Sequence, residues 1–400
     1  MTFSLFTLTS SLHDADSVDS ITRDFLYEIG LDFDLRGADF STYGGGADII
    51  YVRTGGTEGI FRSLYPSLRH DRPFYLLTSG KSNSLAASME ILSWLRGQGL
   101  RGEILHGETA LIRERLVRVG MVEQARKTLS GSRYGVIGAP SDWLIASNCD
   151  REALKRRLGI GLVDIPMEEL LSEIASLGPV TPPEDLDTVP CQEAAAHAAL
   201  LGAYAIYKAL HALVDRYSLS GLTLRCFDLL SSVHNTGCLA LSLLNAEGIV
   251  AACEGDIPAL ISMAVANALT GSCGFQCNPA EMSAVKEEIL FAHCTLPMNM
   301  ARKRVFDTHF ESGIGLGIHG ELAEGPVTVF KLSGKLDRHF ACNARLLQNE
   351  YGRHLCRTQI RVRFPADSAV VEDYFLKDPI ANHHIVIPGH CAELIDEFLA

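Results

Sequence analysis

The sequence predicts an α/β protein with two parallel-sheet domains and a β-rich C-terminal domain. Short apolar runs alternate with helix-forming runs over residues 1–180, and a second alternating region follows the proline-rich segment 181–190. Such alternation is typical of a parallel sheet covered by helices. After residue 300, glycine and β-forming residues predominate, which favours an antiparallel sheet or barrel. We therefore predict domains at 1–180, 181–300 and 301–400.

The strands of these domains follow from their apolar runs. In the second domain, helical runs separate the first three of the four predicted strands. We expect the fourth strand, which ends near His293, to share a sheet with the strand that precedes Glu254. The predicted strands are 48–53, 74–78, 103–106 and 134–138 in the first domain, and 222–227, 249–253, 274–277 and 289–294 in the second.

Composition excludes several classes of protein. The 400 residues carry a net charge of −13, which argues against general nucleic-acid binding because that function needs a basic face. The longest apolar stretch, 248–270, contains Glu254 and Asp256, so we predict no membrane span. The amino terminus lacks the basic region of a secretory signal, and the 11 cysteines lie mostly in apolar runs. We expect buried free thiols and a cytoplasmic protein.

Two carboxylates mark the most informative segment. Glu254 and Asp256 lie where an apolar run ends and a helical run begins with Pro258. Ligands of open α/β sheets bind beyond the carboxyl ends of strands, so this acid pair is a candidate for metal binding or proton transfer. The alternative is structural: Asp256 would cap the helix, and Glu254 would favour its dipole.

Histidines elsewhere in the chain complete a candidate metal site. His293 ends a predicted strand, and His383, His384 and His390 lie near the carboxyl terminus. Carboxylate and imidazole together suit Mn²⁺, Fe²⁺, Co²⁺ or Zn²⁺. His383 and His384 point to opposite faces of a strand, so at most one of them would bind the same ion. The alternative for His293 is a core histidine with its hydrogen bonds satisfied.

Two weaker candidates concern the substrate. Asp228 ends a strand of the same predicted sheet and could reach the site, although it could equally cap a helix. Lys331 belongs to a basic group with Lys335 and Arg338. Such a group either faces solvent or binds an anionic substituent such as a carboxylate, phosphate or sulfonate.

Several of these segments together resemble the L-fucose and L-arabinose isomerases. The segment Ala252–Asp256 is similar to their first metal-acid segment, and Ala381–His384 with Gly389–His390 is similar to the segment that supplies their metal histidine. The resemblance covers most of the chain and is densest between 222 and 300. Shorter fucose-isomerase-like relatives have segments similar to Thr54–Glu58, Gly138–Leu144, Arg225–Asp228, Asn245–Gly248 and Ala292–Thr295.

The resemblance implies a Mn²⁺-dependent enzyme that interconverts an aldose and a ketose through an enediol. It also implies a homo-oligomer with a small sugar as its substrate, and the composition argues against a membrane or nucleic-acid partner. By position, Glu254 matches the first metal acid and His383 the metal histidine, whereas Asn278 falls where the second acid is expected. Residue chemistry and the resemblance together predict catalysis for Glu254 and Asp256; metal binding for Glu254, Asn278, His383 and His293; and substrate binding for Asp228, Trp143, Lys331 and His390.

Asn278 leaves the reaction open. An asparagine can bind a metal through its carbonyl oxygen but cannot act as a base. Either Asp256, Glu281 or Asp228 replaces the missing acid, or the reaction differs. The alternatives are a non-catalytic sugar-binding protein on the same fold and a metal-dependent epimerase or lyase acting on a sugar acid.

Overall fold

The computed structural model describes residues 2–192, 194–366 and 368–400, and the chain divides into two compact units after Gln124. Each unit contains a parallel sheet with helices, and the second also contains an antiparallel barrel. The predicted fold class is therefore confirmed.

The first unit has a five-stranded parallel sheet with apolar clusters on both faces. Its elements in chain order are β1 (Thr2–Leu8), α1 (Ala15–Ile29), β2 (Asp32–Gly37), β3 (Asp48–Val52), α2 (Glu58–Leu64), β4 (Phe74–Leu77), α3 (Ser84–Gly97), β5 (Gly102–Leu105) and α4 (Thr109–Leu129), the last of which continues beyond Gln124. The strand order is β2-β1-β3-β4-β5. This order arises because β1 pairs with both β2 and β3.

The second unit begins with a four-stranded parallel sheet. Its first elements are β6 (Arg133–Ile137), α5 (Arg151–Leu158), β7 (Gly161–Ile165), α6 (Met167–Ser176), α7 (Glu184–Asp187), α8 (Ala194–Tyr217), β8 (Gly221–Leu224), α9 (Asp228–Ser232), α10 (Cys238–Ala246), β9 (Val250–Cys253) and α11 (Ile257–Thr270). The strand order is β7-β6-β8-β9, which makes β9 an edge strand.

A closed barrel follows the parallel sheet. The remaining elements are β10 (Phe275–Ser283), β11 (Glu288–His293), β12 (Lys303–Asp307), β13 (Gly317–Glu321), β14 (Gly325–Leu332), β15 (His339–Glu350), β16 (Thr358–Arg363), β17 (His384–Pro388) and α12 (Ala392–Leu399). The barrel order is β10-β11-β16-β15-β14-β17, and β12 and β13 form a separate ribbon. Helix α11 packs against both β9 and the barrel strand β14, so the two sheets of this unit share one helix.

One expectation about the strands was wrong. The predicted strands at 274–277 and 289–294 do not join the parallel sheet of β9, because β10 and β11 pair antiparallel with each other inside the barrel. Only residues 284–287 separate these two strands, and so short a connection permits a hairpin but no parallel crossover.

The predicted domain boundaries at 180 and 300 stay predictions. The second parallel sheet takes β6 and β7 from before residue 180 and β8 and β9 from after it, and the barrel begins with β10, before residue 300.

Among the described residues, no helix has the length and apolar character that a membrane crossing would need.

Candidate metal centre

Glu254 lies on a tight turn that joins β9 to α11. Its backbone has φ of 64°, and Gly255 follows with φ of 69°, so two successive residues adopt the left-handed conformation. Hydrogen bonds fix this turn, from the amide of Gly255 to the carbonyl of Leu224 (2.9 Å) and from the amide of Ser141 to the carbonyl of Glu254 (2.9 Å). A non-glycine residue rarely adopts this conformation unless its surroundings impose it, and such residues concentrate at functional sites.

Asp256 caps the helix that follows. Its Oδ1 accepts a hydrogen bond from the amide of Ala259 at 2.8 Å, and its side chain is fully buried. Pro258 lies in the first turn of α11, and Gly271 ends the helix in the left-handed conformation. The structural interpretation of Asp256 as an N-cap is therefore confirmed, but this carboxylate has a second contact as well.

Three side chains converge at the end of β9. The Glu254 Oε1 atom is 3.4 Å from His383 Nε2 and 3.7 Å from His293 Nε2, and all three residues are buried. One ligand atom from each lies within 4.8 Å of the other two, an arrangement that could hold a metal ion. Ligand atoms about 2.1 Å from one ion lie about 3.0–3.5 Å apart, close to the separations here.

Both imidazoles are held through their Nδ1 atoms. His383 Nδ1 lies 2.8 Å from Asp256 Oδ2, and His293 Nδ1 lies 3.0 Å from the hydroxyl of Thr295. When Nδ1 of His383 donates its proton to Asp256, the Nε2 atom keeps its lone pair. That Nε2 atom is buried and makes no hydrogen bond. A carboxylate behind a histidine with a free Nε2 is the usual support of a metal-binding imidazole, so these residues fit a divalent cation.

The electrostatics of the cluster favour positive charge between these groups. Burial opposes the charge of Glu254, but the imidazoles of His293 and His383 outweigh it and hold the pKa of Glu254 well below its usual range. Burial also opposes a charge on His383, yet Asp256 and Glu254 raise the pKa of His383 to about 9. The two acids therefore stabilise a cation at this position.

His384 lies outside the cluster, as its position in the strand predicts. Its Nε2 atom contacts the hydroxyl of Tyr374 at 3.0 Å, and its Nδ1 atom contacts the carbonyl of Asn382 at 2.9 Å. Burial, reinforced by Lys331, lowers the pKa of His384 to about 3. Only His383 of this pair faces Glu254.

Aromatic side chains extend from the cluster. The indole N–H of Trp143 donates to Glu254 Oε2 at 2.7 Å, although about half of the Trp143 side chain is exposed. The ring of Phe227 packs edge-on against Trp143 with centroids 4.9 Å apart, and His309 packs against Phe227 at 5.6 Å. Such rings form a wall suited to the apolar face of a small ligand.

Asn278 lies on β10 on the same strand face as Gln276, two residues earlier. The Gln276 side chain accepts a hydrogen bond from the amide of Cys253 at 2.8 Å, so this face of β10 is turned towards the end of β9. The Asn278 Oδ1 atom accepts a hydrogen bond from Asn382 at 3.2 Å. Asn278 therefore lies beside the histidine segment with its carbonyl oxygen already engaged by Asn382.

Four other candidates lie apart from the three-residue cluster. Asp228 pairs with Arg225 at the start of α9, and Glu281 pairs with Arg361 on the barrel surface. His390 is exposed beyond the far end of β17 from His383, where its Nε2 contacts the carbonyl of Ala344. Lys331 is fully buried, with its Nζ 3.8 Å from Asp256 Oδ2.

Sequence reasoning did not identify the residues that support the cluster. Thr295 follows His293 by two positions, which is the one sequence signal that could have identified it. Ser147 Oγ lies 3.4 Å from Asp256 Oδ2, and Gln276 holds the end of β9. Nothing in the sequence near Ser147 or Gln276 points to these contacts, because both depend on how the loops and the barrel close around β9.

Comparisons with known proteins point to sugar isomerases. No family model matches the chain. Curated relatives named sulfoquinovose isomerase occur in Clostridium sp. (strain MSTE9), with 28% identity over 49% of this chain and 44% of the relative, and in Priestia aryabhattai, with 25% identity over 56% of this chain and 52% of the relative. A third, from Alkalicoccus urumqiensis, has 25% identity over 62% of this chain and 59% of the relative.

The matched part is about half the length of these relatives. Their shared name supports a sugar-isomerase family for this chain. The narrower resemblance to L-fucose and L-arabinose isomerases is not confirmed by them and stays a prediction.

Proposed function

We propose that this chain is a divalent-metal-dependent isomerase that interconverts an aldose and a ketose. The observation that carries the proposal is the buried cluster of Glu254, His293 and His383, in which both imidazole Nε2 atoms face one carboxylate oxygen. The sugar-isomerase relatives support the same class of reaction.

The reaction explains why these residue types are needed. Moving a proton between C1 and C2 of a sugar places negative charge on oxygen. A divalent cation bound by Glu254, His293 and His383 would stabilise that charge. The donor set of two imidazoles and one carboxylate suits Mn²⁺, Fe²⁺, Co²⁺ or Zn²⁺, and we propose Mn²⁺ because of the family resemblance.

We assign the proton transfer that forms the enediol to Glu254. It is the one carboxylate of the cluster within the described residues, and the indole N–H of Trp143 orients its Oε2 atom. We assign Asp256 a positioning role instead of the catalytic one predicted above, because its fully buried carboxylate lies behind His383. Trp143 and Phe227 would pack against the sugar and exclude water from the reacting carbons.

The first substrate to test is sulfoquinovose, because the relatives carry that name. L-fucose and L-arabinose follow, because of the resemblance of the metal-acid and histidine segments. We further propose that the protein is cytoplasmic and forms a homo-oligomer. Sedimentation equilibrium is the direct test of the oligomeric state.

Asn278 favours a second candidate. An amide in place of the second acid removes one possible proton carrier, so a protein that binds a sugar without turnover, or a metal-dependent epimerase or lyase, would also suit this site. Product analysis separates these functions, since only an isomerase converts the aldose to its ketose.

Metal content and turnover test the proposal together. Protein purified without added metal or chelator, then incubated with Mn²⁺ and desalted, should contain about one divalent ion per chain by plasma mass spectrometry and should convert one of these aldoses. Glu254→Gln should lose both properties. The matched control is Glu324→Gln, an exposed residue between β13 and β14, which should retain both. Full metal content and full turnover in Glu254→Gln would disprove the assignment.

A further inference from the structure

Lys331 is a buried cation at the end of barrel strand β14. Its side chain is fully buried, and its Nζ atom makes no hydrogen bond. Phe330 pairs with Ile385 of β17, so the next residues along these antiparallel strands, Lys331 and His384, are neighbours. His384 cannot neutralise the lysine, because an imidazole carries no negative charge, and its two ring nitrogens contact Tyr374 and Asn382.

Asp256 is the carboxylate that faces this lysine. Among the described residues, it is the only acid within ion-pair distance of Lys331, at 3.8 Å from Nζ to Oδ2. That separation is too long for a hydrogen bond, so the interaction is one of charge. Burying either charge alone would cost far more than burying the two together.

The same oxygen of Asp256 also holds His383. Oδ2 lies 2.8 Å from His383 Nδ1 and 3.4 Å from the hydroxyl of Ser147, while Oδ1 is fixed by the amide of Ala259. A chain of contacts therefore runs from Lys331 through Asp256 to His383, whose other nitrogen faces Glu254. Among the described residues, Lys331 forms no ion pair with Glu254, the acid of the cluster.

We propose that Lys331 is a positioning residue of the metal centre, which holds the Asp256 carboxylate in place behind His383 and thereby raises the affinity for a divalent cation. This inference rests on the proposed function, because it requires that Glu254, His293 and His383 bind a metal. It replaces the expectation that Lys331 contacts an anionic group of the sugar, since the lysine is fully buried behind Asp256.

A double-mutant cycle, in which the affinity of each variant for Mn²⁺ is measured, tests the inference. Mn²⁺ is titrated by calorimetry into the full-length wild-type chain, Lys331→Met, Asp256→Asn and the double variant. We expect a 10–100-fold loss of affinity in Asp256→Asn, the range for supporting partners of metal-binding histidines, and about a tenfold loss in Lys331→Met. If the lysine acts through Asp256, the double variant should bind Mn²⁺ within about twofold of Asp256→Asn.

The matched control is Lys335→Met, which removes an exposed lysine from the turn after β14 and should bind Mn²⁺ like the wild type. The inference would be overturned, and the proposed function left standing, by either of two results. One is wild-type Mn²⁺ affinity in Lys331→Met, and the other is a loss in the double variant equal to the product of the fold losses in the two single variants. A wild-type chain that binds no Mn²⁺ would reject the proposed function and this inference with it.

Folding of the variants is checked by circular dichroism before each titration. Should Lys331→Met not fold, Lys331→Gln takes its place in the cycle, because glutamine keeps a hydrogen-bond donor in the buried position while removing the charge. A loss of affinity in Lys331→Gln that is absent when Asp256 is already asparagine supports the inference, and wild-type affinity in Lys331→Gln overturns it.

Discussion

The indole N–H of Trp143 donates a hydrogen bond to the buried carboxylate of Glu254, while about half of the Trp143 side chain is exposed to solvent. A carboxylate that accepts a hydrogen bond from an indole N–H keeps a fixed orientation, whereas the exposed half of the Trp143 side chain is open to contact with a ligand. This single contact therefore links the metal-binding residue to the surface on which we place the sugar.

Replacing Trp143 by phenylalanine should separate these two roles. Trp143→Phe keeps an aromatic ring but removes the N–H donor, so we expect kcat to fall by roughly 10–100-fold with a smaller change in KM, since a hydrogen bond to a charged group contributes about 1.5–3 kcal/mol. Steady-state kinetics on the active sugar measures both. Trp94→Phe, a change in the first unit, is the control, and an unchanged kcat in Trp143→Phe would mean that the indole N–H has no part in the reaction.

Thr295 offers a test of the second histidine. Thr295→Val keeps the shape of the side chain but removes the hydroxyl that contacts His293 Nδ1. We expect Mn²⁺ affinity to fall about tenfold by calorimetry, in line with other partners of metal-binding histidines. Thr270→Val removes a hydroxyl that bonds to Ala266 in its own helix and to Ser272 just beyond the helix, and this variant should bind Mn²⁺ normally. Equal affinities in the two variants would show that the Thr295 hydroxyl does not support metal binding through His293.

The residues that sequence reasoning could identify are those with distinctive chemistry at a recognisable position. Glu254 and His383 follow from residue type, strand ends and the resemblance, and the structure brings them together. Ser147 could not be identified in that way, because hydroxyl residues are common and their role depends on which side chain lies next to them, whereas Thr295 is marked only by its position two residues after His293.

At the scale of elements, the turn between β9 and α11 determines where the carboxylate of Glu254 points. A Cβ atom at Gly255 would lie 2.3 Å from the carbonyl oxygen of Ala139, and the residue has a positive φ. Glycine is needed here both for its conformation and for the close approach of the loop before Trp143.

Gly255→Ala should therefore destabilise the second unit. We expect the free energy of unfolding to fall by about 1–3 kcal/mol, the range for a strained backbone position, together with weaker Mn²⁺ binding. Urea unfolding followed by circular dichroism measures the change. Gly178→Ala is the control, since an added Cβ there meets no atom within 4 Å and the residue has no positive φ. A Gly255→Ala variant as stable as the control would show that the turn tolerates a side chain.

The element that sequence reasoning placed wrongly is the hairpin of β10 and β11. Apolar runs identify strands, but they do not state which sheet a buried strand joins. The available signal was the spacing of the predicted strands, because the residues between them, 278–288, are too few for a parallel crossover and indicate an antiparallel pair. His293 consequently reaches Glu254 from the barrel and not from a neighbouring strand of the parallel sheet.

At the scale of the molecule, the candidate centre ties the parallel sheet of the second unit to its barrel. Glu254 follows the parallel strand β9, whereas His293 and His383 lie at the ends of barrel strands β11 and β17. The fold class could be predicted because alternation and composition are properties of long segments. The contact between the two sheets could not, because it depends on barrel closure over residues 275–388.

A metal held across two sheets should stabilise the second unit as a whole. At an Mn²⁺ concentration 100 times its Kd, binding contributes about 2.7 kcal/mol, so we expect the melting temperature to rise by roughly 5–10 °C in differential scanning calorimetry. A chelator should reverse the rise, and Glu254→Ala should abolish it. A melting temperature insensitive to Mn²⁺ in the wild type would indicate that the cluster is a structural hydrogen-bonded group.

The position of Trp143 also makes the protein optically informative. The chain has two tryptophans, and Trp94 lies in the first unit among Phe61 and Tyr65, remote in sequence from the carboxylate that Trp143 contacts. Replacing Trp94 by phenylalanine would leave a single indole fluorophore, hydrogen-bonded to Glu254. Its emission would then report occupancy of the centre directly, and a paramagnetic ion such as Mn²⁺ would quench it, so that binding could be followed in real time without a label.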